Sequence, residues 1–168
     1  IMTHGDDSGL ILPPSIAPYQ IVIVPIPRGN WQETVLPKAR QIQQELVGAG
    51  MRVMLDDRDA YTPGWKFAEW ELRGVPLRLE IGPKDIEKGQ VFSARRDTRD
   101  KAPIAFTDLT TRVPALLEEI QTGLFSRAKA FRDERTVEVA NWDEFKKAME
   151  GRPGFVISPW CESSQCEA

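Results

Sequence analysis

Acidic and basic side chains surround one apolar stretch near the middle of the chain. Glu71 lies near the end of a predicted short helix, Arg78 lies in the predicted strand that follows, and Lys84 comes after that strand. Guanine presents N–H donors on one edge and oxygen and nitrogen acceptors on another. One carboxylate with one or two cations can therefore satisfy both edges of an unpaired guanine. The alternative interpretation is that these are solvated surface charges, which is the commoner role of Lys and Arg.

Two features of this stretch favour a binding role. Arg78 and Glu80 are two residues apart on the predicted strand, so their side chains share one face. Lys84 follows the C-terminal end of that strand, where open α/β sheets bind their ligands. We therefore expect Glu71, Arg78 and Lys84 to form a recognition site at this edge of the sheet.

The two cysteines of the chain form a Cys-x4-Cys pair close to its C-terminal end, Cys161 and Cys166. Two cysteines in 168 residues do not make a disulfide framework. Tetrahedral zinc needs four ligands, and the single histidine, His4, lies far away in the sequence. The spacing alone leaves two interpretations, an ordinary pair of small residues or half of a zinc site.

Two further groups of residues carry weaker signals. His4, Asp6 and Asp7 could be a metal or acid/base cluster, but their glycine-rich surroundings favour a turn, and we assign them no catalytic role. Trp65 and Trp70 could stack on bases, although we expect them to pack in the core. The sequence contains no P-loop, no GxGxxG motif and no set of residues typical of a hydrolase.

Composition limits the kinds of partner. Hydrophobic residues make up 41% and charged residues 28% of the chain, which is typical of a soluble globular protein. A net charge of −3 argues against indiscriminate nucleic-acid binding, so RNA would have to be bound through a few placed contacts. No signal peptide or run of about 18 apolar residues is present. We expect a cytoplasmic protein that binds neither membranes nor DNA.

Hydrophobic periodicity predicts an α/β fold with a mixed sheet of about five strands flanked by helices. The apolar run 20–26 is typical of a strand buried on both faces, and further strands are predicted at 51–55, 75–81, 91–95 and 102–106. Helices are predicted from about Leu36 and Pro63, the former preceded by an Asn30 and Glu33 capping box. A long helix should run from about Thr111 to Asp133, with one apolar face formed by Val113, Leu117, Ile120, Leu124, Ala128 and Phe131.

Beyond residue 134 the pattern changes to that of a second, smaller α+β module. A short strand precedes a helix capped by Asn141, with Glu144 three residues later, and a second short strand follows. The glycine- and proline-rich run 1–18 is typical of a connector, and 82–90 of a turn-rich connection.

Several motifs together resemble one known family. The run MTHGDDSGLILPP and the later segments DDRD, TPGWK, WELRGVP, RLEIGPKD and RRDT occur in the order found in prolyl-tRNA synthetases of the archaeal and eukaryotic type. These are class II aminoacyl-tRNA synthetases. The likeness covers nearly the whole chain and is closest to the C-terminal part of these enzymes.

The resemblance implies a division of the chain into three parts. Residues 1–18 would be the end of the catalytic domain and its connector, 19–133 an anticodon-binding domain, and 134–168 the first part of a truncated zinc-binding C-terminal domain. Cys161 and Cys166 would then be half of a four-ligand zinc site, without tight zinc binding by this chain alone.

The resemblance also implies roles for individual side chains. Glu71, Arg78 and Lys84 would contact the two guanines of the proline anticodon, with Lys101 as a fourth contact. Two further cations, Arg58 and Lys66, would order the preceding loop or contact phosphate.

By resemblance, the parent enzyme is a proline–tRNA ligase of translation that would use ATP and Mg²⁺. Its partners would be proline tRNA, the catalytic domain of the same enzyme and a second subunit of a homodimer. No catalytic residue is expected in this chain. Two alternatives remain open: a free-standing RNA-binding or accessory module without catalytic activity, and an α/β domain that binds a small molecule. The latter is disfavoured because Pro83 lacks the N–H that a phosphate-binding turn would need.

Overall fold

A five-stranded mixed sheet forms the centre of the first part of the chain. The computed structural model describes residues 3–151 and 154–163. The strands, in chain order, are β1 (Ile21–Pro25), β2 (Val53–Leu55), β3 (Leu77–Ile81), β4 (Gln90–Arg95) and β5 (Lys101–Ala105). They lie in the order β2-β1-β3-β4-β5. The strands β2 and β3 are parallel to β1, whereas β4 pairs antiparallel with both β3 and β5.

Four helices lie between these strands along the chain, and a fifth follows β5. They are α1 (Trp31–Thr34), α2 (Leu36–Gly48), α3 (Pro63–Leu72), α4 (Pro83–Glu87) and α5 (Leu109–Glu134). A 3-10 turn at Phe106–Asp108 precedes α5. The predicted α/β class with a mixed sheet of five strands and flanking helices is confirmed.

Hydrophobic residues pack on both faces of the sheet, and every residue of β1 is therefore buried. Successive side chains of a strand point to opposite faces. Ile21 and Ile23 belong to the larger hydrophobic cluster, which includes residues of α2 and α5. Val22 and Val24 pack with Trp70 in a smaller cluster, so α3 covers the other face of the sheet. This second face is the one that carries Arg78 and Glu80, which alternate with buried leucines of β3.

Three local predictions were wrong. The turn-rich connection contains the short helix α4, because Pro83 suits a first helical position and the Asp85 carboxylate accepts from the Gly82 N–H at 2.8 Å. Asn30 makes no side-chain cap, since its amide donates to the Glu33 carboxylate instead. Phe131 is 55% exposed, because the buried stretch of α5 ends with Leu124.

The chain divides into two compact units, one ending at Leu124 and the other beginning at Phe125. In the second unit, β6 (Thr136–Glu138) pairs in parallel with β7 (Phe155–Ile157). The helix α6 (Trp142–Glu150) connects them. A strand, a helix and a strand were predicted for this region. In the described part of the chain, no helix is both long and apolar enough to cross a membrane.

The Asn141 cap predicts a measurable stability effect in this second unit. Asn141 Oδ1 accepts from the Glu144 N–H at 3.0 Å, while the Glu144 carboxylate accepts from the Ala140 N–H at 2.8 Å. Replacing Asn141 by Ala should destabilise α6 by about 1 kcal/mol, measured as faster amide hydrogen exchange in that helix. Asn30→Ala is the control, because its side chain caps no N–H. Unchanged exchange in α6 of the Asn141 variant would contradict the assignment.

Candidate nucleic-acid interface

The helix α3 begins and ends where its sequence dictates, and this places Glu71 beside β3. The Thr62 hydroxyl accepts from the Trp65 N–H at 3.3 Å, and Pro63 occupies the first helical position. The helix stops before Gly74, whose φ of +74° lies in the left-handed region. The chain then turns directly into β3, so the last turn of α3 faces the start of that strand.

Glu71 and Arg78 form an ion pair between α3 and β3. Arg78 Nη1 donates to Glu71 Oε1 at 2.7 Å, and Arg78 Nε donates to Glu80 Oε1 at 3.0 Å. The Arg78 guanidinium carbon also lies 4.1 Å from the centre of the Phe67 ring. The Arg78 side chain is only 9% exposed, whereas that of Glu71 is 43% exposed. Arg78 is therefore held in place, and it presents the Glu71 carboxylate to the solvent.

A pocket of about 120 Å³ opens beside this pair. It is lined by Val22, Trp70, Glu71, Val75, Arg78, Ala94, Arg95, Arg96, Arg99 and Lys101. Five of these residues are Lys or Arg and one is a carboxylate. Each of the five cations is paired with a carboxylate, so the pocket is rich in N–H donors without carrying a large net charge. Lys101 contacts β3 through its Nζ, which donates to Glu80 Oε1 at 3.0 Å. Half of the Lys101 side chain is exposed to solvent. Such a lining suits an anionic or acceptor-rich ligand.

Sequence reasoning did not single out the three arginines at the β4–β5 end of the pocket. Arg95 donates to both carboxylate oxygens of Asp97, and this hydrogen bonding raises the pKa of Arg95. Arg96 is buried and pairs with Asp6, whereas Arg99 is exposed and has a positive φ of 65°. The sequence signal for these arginines was the density of charge in the segment RRDTRD, because closely spaced charges at one hairpin usually form ion pairs.

A second charged cluster fixes α3 to the loop that precedes it. Arg58 Nε and Nη2 donate to the two oxygens of the buried Asp56 carboxylate at 2.8 and 2.7 Å. The Trp70 indole N–H donates to the same carboxylate at 2.8 Å, and Lys66 Nζ donates to the Asp56 carbonyl oxygen at 3.1 Å. Burial disfavours the charge on Asp56, but the hydrogen bonds from Arg58 and Trp70 outweigh it and lower its pKa to about 2. This cluster is a structural ion-pair network.

A family model described as an anticodon binding domain matches residues 20–116 of the chain. That range is more than half of the chain and holds all five strands of the sheet. The chain belongs to the anticodon-binding domain family. The pocket is part of this anticodon-binding domain, since every residue that lines it lies within the matched range.

Relatives of this anticodon-binding domain extend the likeness to almost the whole chain. A proline–tRNA ligase of Alkaliphilus oremlandii (strain OhILAs) is 50% identical over 167 residues. The protein named proline–tRNA ligase 2 is 50% identical in Bacillus cereus (strain ZK / E33L) and 48% identical in Clostridioides difficile (strain 630). These matches cover 99–100% of the chain but 34% of each relative. The chain thus spans about a third of the length of the curated relatives it matches.

The predicted recognition residues of this anticodon-binding domain do not all gather at one edge of the sheet. Glu71, Arg78 and Lys101 are brought together at the pocket. Arg78 is the second residue of β3, whereas Lys84 lies in α4, three residues past the end of that strand. Lys84 is exposed, and its side chain makes no hydrogen bond or ion pair with any residue that the structure describes. The expected cluster at the C-terminal edge therefore splits into the pocket and a separate cation on α4.

Two expectations about α3 need correction. Of the two roles expected for Lys66, contact with phosphate does not fit, because its side chain is only 2% exposed and lies 3.7 Å from the Asp56 carboxylate. Ordering of the preceding loop does fit, since Lys66 Nζ donates to the Asp56 carbonyl oxygen. Arg58 is 39% exposed and is bonded to Asp56 and Glu69, which gives it the loop-ordering role. Trp70 is in the core as expected, but Trp65 is 45% exposed and stacks on the Tyr61 ring.

One cysteine of the predicted zinc pair lies within the described residues. Cys161 is exposed in the second unit, while Cys166 lies outside the described residues. Across 3–151 and 154–163, no group of three or more His, Cys, Asp and Glu side chains could hold a metal ion. The described residues thus supply one of the four ligands that tetrahedral zinc requires, and they do not fit a zinc site by themselves.

Proposed function

We propose that this chain is the anticodon-recognition part of a proline–tRNA ligase and that it reads guanines of the proline anticodon. The observation that carries the proposal is the exposed Glu71 carboxylate, held by Arg78 in a pocket of an anticodon-binding domain that is lined by five Lys and Arg side chains. The relatives of about 50% identity that bear the name proline–tRNA ligase support the choice of tRNA.

The chemistry of the pocket suits an unpaired guanine. The Watson–Crick edge of guanine offers N1–H and N2–H, for which the Glu71 carboxylate is an anionic acceptor. In the described chain, Glu71 uses only Oε1 for its bond to Arg78, so Oε2 can accept from a base. Lys101 is half exposed and can donate to O6 or to a neighbouring phosphate. Arg78 acts mainly by orienting Glu71, because its own side chain is nearly buried.

A second contact of the RNA is proposed for Lys84 on α4. Its exposed ammonium group can reach a second base or the phosphate backbone without breaking any contact in the protein. Lys84→Ala should weaken tRNA binding and reduce the slope of log affinity against log salt by about 1, measured by fluorescence titration. Lys146→Ala is the control, since this lysine is 52% exposed but belongs to the second unit. Equal salt slopes for the two variants would contradict the contact.

The rest of the proposed activity resides outside this chain. The parent enzyme would activate proline with ATP and Mg²⁺ and then esterify the proline tRNA, as a cytoplasmic homodimer whose catalytic domain is covalently joined to this one. No residue of the chain is proposed as catalytic. Cys161 and Cys166 are proposed as two ligands of a structural zinc site, and we expect weak zinc binding by this chain because four ligands are needed.

The test is a comparison of two RNAs at fixed salt. The chain is titrated with proline tRNA and with the same tRNA in which both anticodon guanines are changed. A clear preference for the unaltered anticodon is the expected result. Equal, strongly salt-dependent binding to both would show contacts to phosphate alone and would overturn the proposed base readout. Absence of binding to either tRNA would also contradict it.

A further inference from the structure

An N-terminal segment outside the range matched by the family model packs directly against the end of α3. The N–H of Leu10 donates to the carbonyl oxygen of Leu72 at 3.0 Å. The N–H of Leu12 donates to the carbonyl oxygen of Gly74 at 3.1 Å. The last carbonyl groups of a helix lack partners within the helix, and here Leu10 supplies the partner of the final one, that of Leu72. The turn of α3 that carries Glu71 is thus fixed from outside the helix.

Two glycines make this backbone contact close. A Cβ added to Gly9 would lie 2.6 Å from Leu72 Cα, and a Cβ added to Gly74 would lie 2.6 Å from Leu10 Cβ. Gly9 has a φ of +124° and Gly74 a φ of +74°, conformations that other residues rarely adopt. The segment therefore has one well-defined position against α3, which larger residues at these two sites would not permit.

An ion pair joins the same segment to the pocket. Arg96 donates to both oxygens of the Asp6 carboxylate, with 2.9 Å from Nη1 to Oδ2. The hydrogen bond from Arg96 holds the pKa of Asp6 well below its ordinary value. Arg96 is only 3% exposed, and its Nε donates to the backbone carbonyl of Glu71 at 3.0 Å. A second contact nearby joins Arg99 Nη2 to Ser8 Oγ at 2.8 Å.

We propose that this N-terminal segment is part of the recognition site, and that Asp6, acting through Arg96, is a positioning residue for Glu71. This inference rests on the proposed function of the pocket. Asp6 fixes the guanidinium of Arg96, Arg96 fixes the backbone of Glu71, and the Glu71 side chain meets the base. Asp6 also neutralises a cation in the pocket wall. Without Asp6, the exposed Arg99, which pairs with the same carboxylate, becomes an uncompensated charge that attracts any phosphate, whatever the base sequence.

The test compares two neighbouring isosteric substitutions in the whole 168-residue chain. Asp6→Asn removes the proposed positioning charge. Asp7→Asn is the matched control, because Asp7 is exposed and makes no hydrogen bond or ion pair within the described residues. Each protein is titrated at fixed salt with proline tRNA and with the tRNA whose two anticodon guanines are changed. We expect the preference of Asp6→Asn to fall roughly three- to tenfold, partly through tighter binding of the altered tRNA, and that of Asp7→Asn to equal the unsubstituted chain.

A second variant moves the segment without changing any charge. Gly9→Ala places a methyl group against the backbone of Leu72, and it should reduce the preference in the same direction. If Asp6→Asn does not fold, Gly9→Ala decides the question by the same titration. Faster amide hydrogen exchange at Leu10 and Leu12 is expected in both variants, as a readout independent of RNA.

The outcomes separate the inference from the function on which it rests. If the unsubstituted chain and Asp7→Asn discriminate between the tRNAs, and Asp6→Asn and Gly9→Ala discriminate equally well, the positioning role is overturned and the proposed function stands. An equal loss of affinity for both tRNAs in Asp6→Asn would also overturn it, because the preference is then unchanged. If the unsubstituted chain does not discriminate, both proposals fall together.

Discussion

Replacing Asp56 by Asn should lower the free energy of unfolding of the first unit by about 3–5 kcal/mol, the range typical of a broken buried ion pair. The Asp56 side chain is fully buried, and it accepts hydrogen bonds from both Arg58 and Trp70. Lys66 is almost fully buried 3.7 Å away, so the substitution leaves a buried ammonium group without its counter-charge. Urea unfolding at neutral pH, followed by circular dichroism, measures the change.

The adjacent residue provides the control for this substitution. Asp57 is 45% exposed and lies 3.4 Å from Arg40, which is 59% exposed. Exposed pairs of this kind contribute at most about 1 kcal/mol. Asp57→Asn should therefore leave the urea midpoint almost unchanged. Similar losses of stability in the two variants would show that the Asp56 network does not hold α3 in place.

Because the pKa of Asp56 is lowered in the folded chain, the loss of unfolding free energy caused by Asp56→Asn should depend on pH. The carboxyl group has a pKa of about 2 in the folded chain and an ordinary value of 3.8 when the chain unfolds. Because the folded pKa is the lower one, the network stabilises the chain fully above about pH 4, and this contribution is lost as the pH falls towards 2. The stability difference between the unsubstituted chain and Asp56→Asn should accordingly shrink between pH 4 and pH 2. A difference that stays constant over this interval would contradict the assignment.

Replacing Glu71 by Gln should remove much of the preference for the guanine-containing anticodon. Gln retains the size of the side chain and an oxygen for Arg78, but it loses the anionic acceptor that is proposed to meet the guanine N–H groups. A good bidentate pair accounts for about 1–3 kcal/mol of discrimination against the wrong base. We therefore expect the ratio of the two tRNA affinities to fall by a factor of about 5 to 150, measured by titration at fixed salt.

A matched control separates this effect from a general change of charge. Glu87→Gln makes the same substitution on α4, where the side chain is exposed and lies outside the pocket lining. Each substitution removes one negative charge, so both variants should bind any RNA slightly better through long-range attraction. Only Glu71→Gln should lose discrimination. Equal ratios in the two variants would rule out Glu71 as the base-reading residue.

Coupling between Glu71 and Arg78 can be measured with a double-mutant cycle. Arg78→Ala should also lower discrimination by about 1–3 kcal/mol, because it removes the group that orients the Glu71 carboxylate. If the two residues act as one unit, the double variant should lose little more than either single variant. Fully additive losses would indicate two independent contacts with the RNA.

Local signals in the sequence were enough to predict how the recognition residues are presented. Pro63 predicted the start of α3, and alternation along β3 placed Arg78 and Glu80 on one face. These features depend on helix capping and on the two-residue period of a strand, which neighbouring residues determine. The proximity of Glu71 to Arg78 followed from the short turn between the two elements.

Contacts between distant segments could not be predicted in the same way. Lys66 reads as a surface cation by residue type, and only the arrival of Asp56 from the preceding loop allows it to be buried. Arg96 meets Asp6 across 90 positions of sequence, and neither residue signals the other. Lys84 was expected beside Arg78 because the prediction left out the length of β3. Arg78 lies near the start of this strand and Lys84 beyond its end, so the strand separates them.

Both edges of the sheet are poor templates for association with another strand. The edge strand β2 has only three residues, and β5 at the opposite edge contains Pro103, which lacks an N–H to donate, and begins with the charged Lys101. An added strand would therefore gain few backbone hydrogen bonds at either edge. The domain is consequently protected against edge-to-edge aggregation, so that β-sheet polymerisation should be slow even at the high protein concentrations needed for the binding titrations.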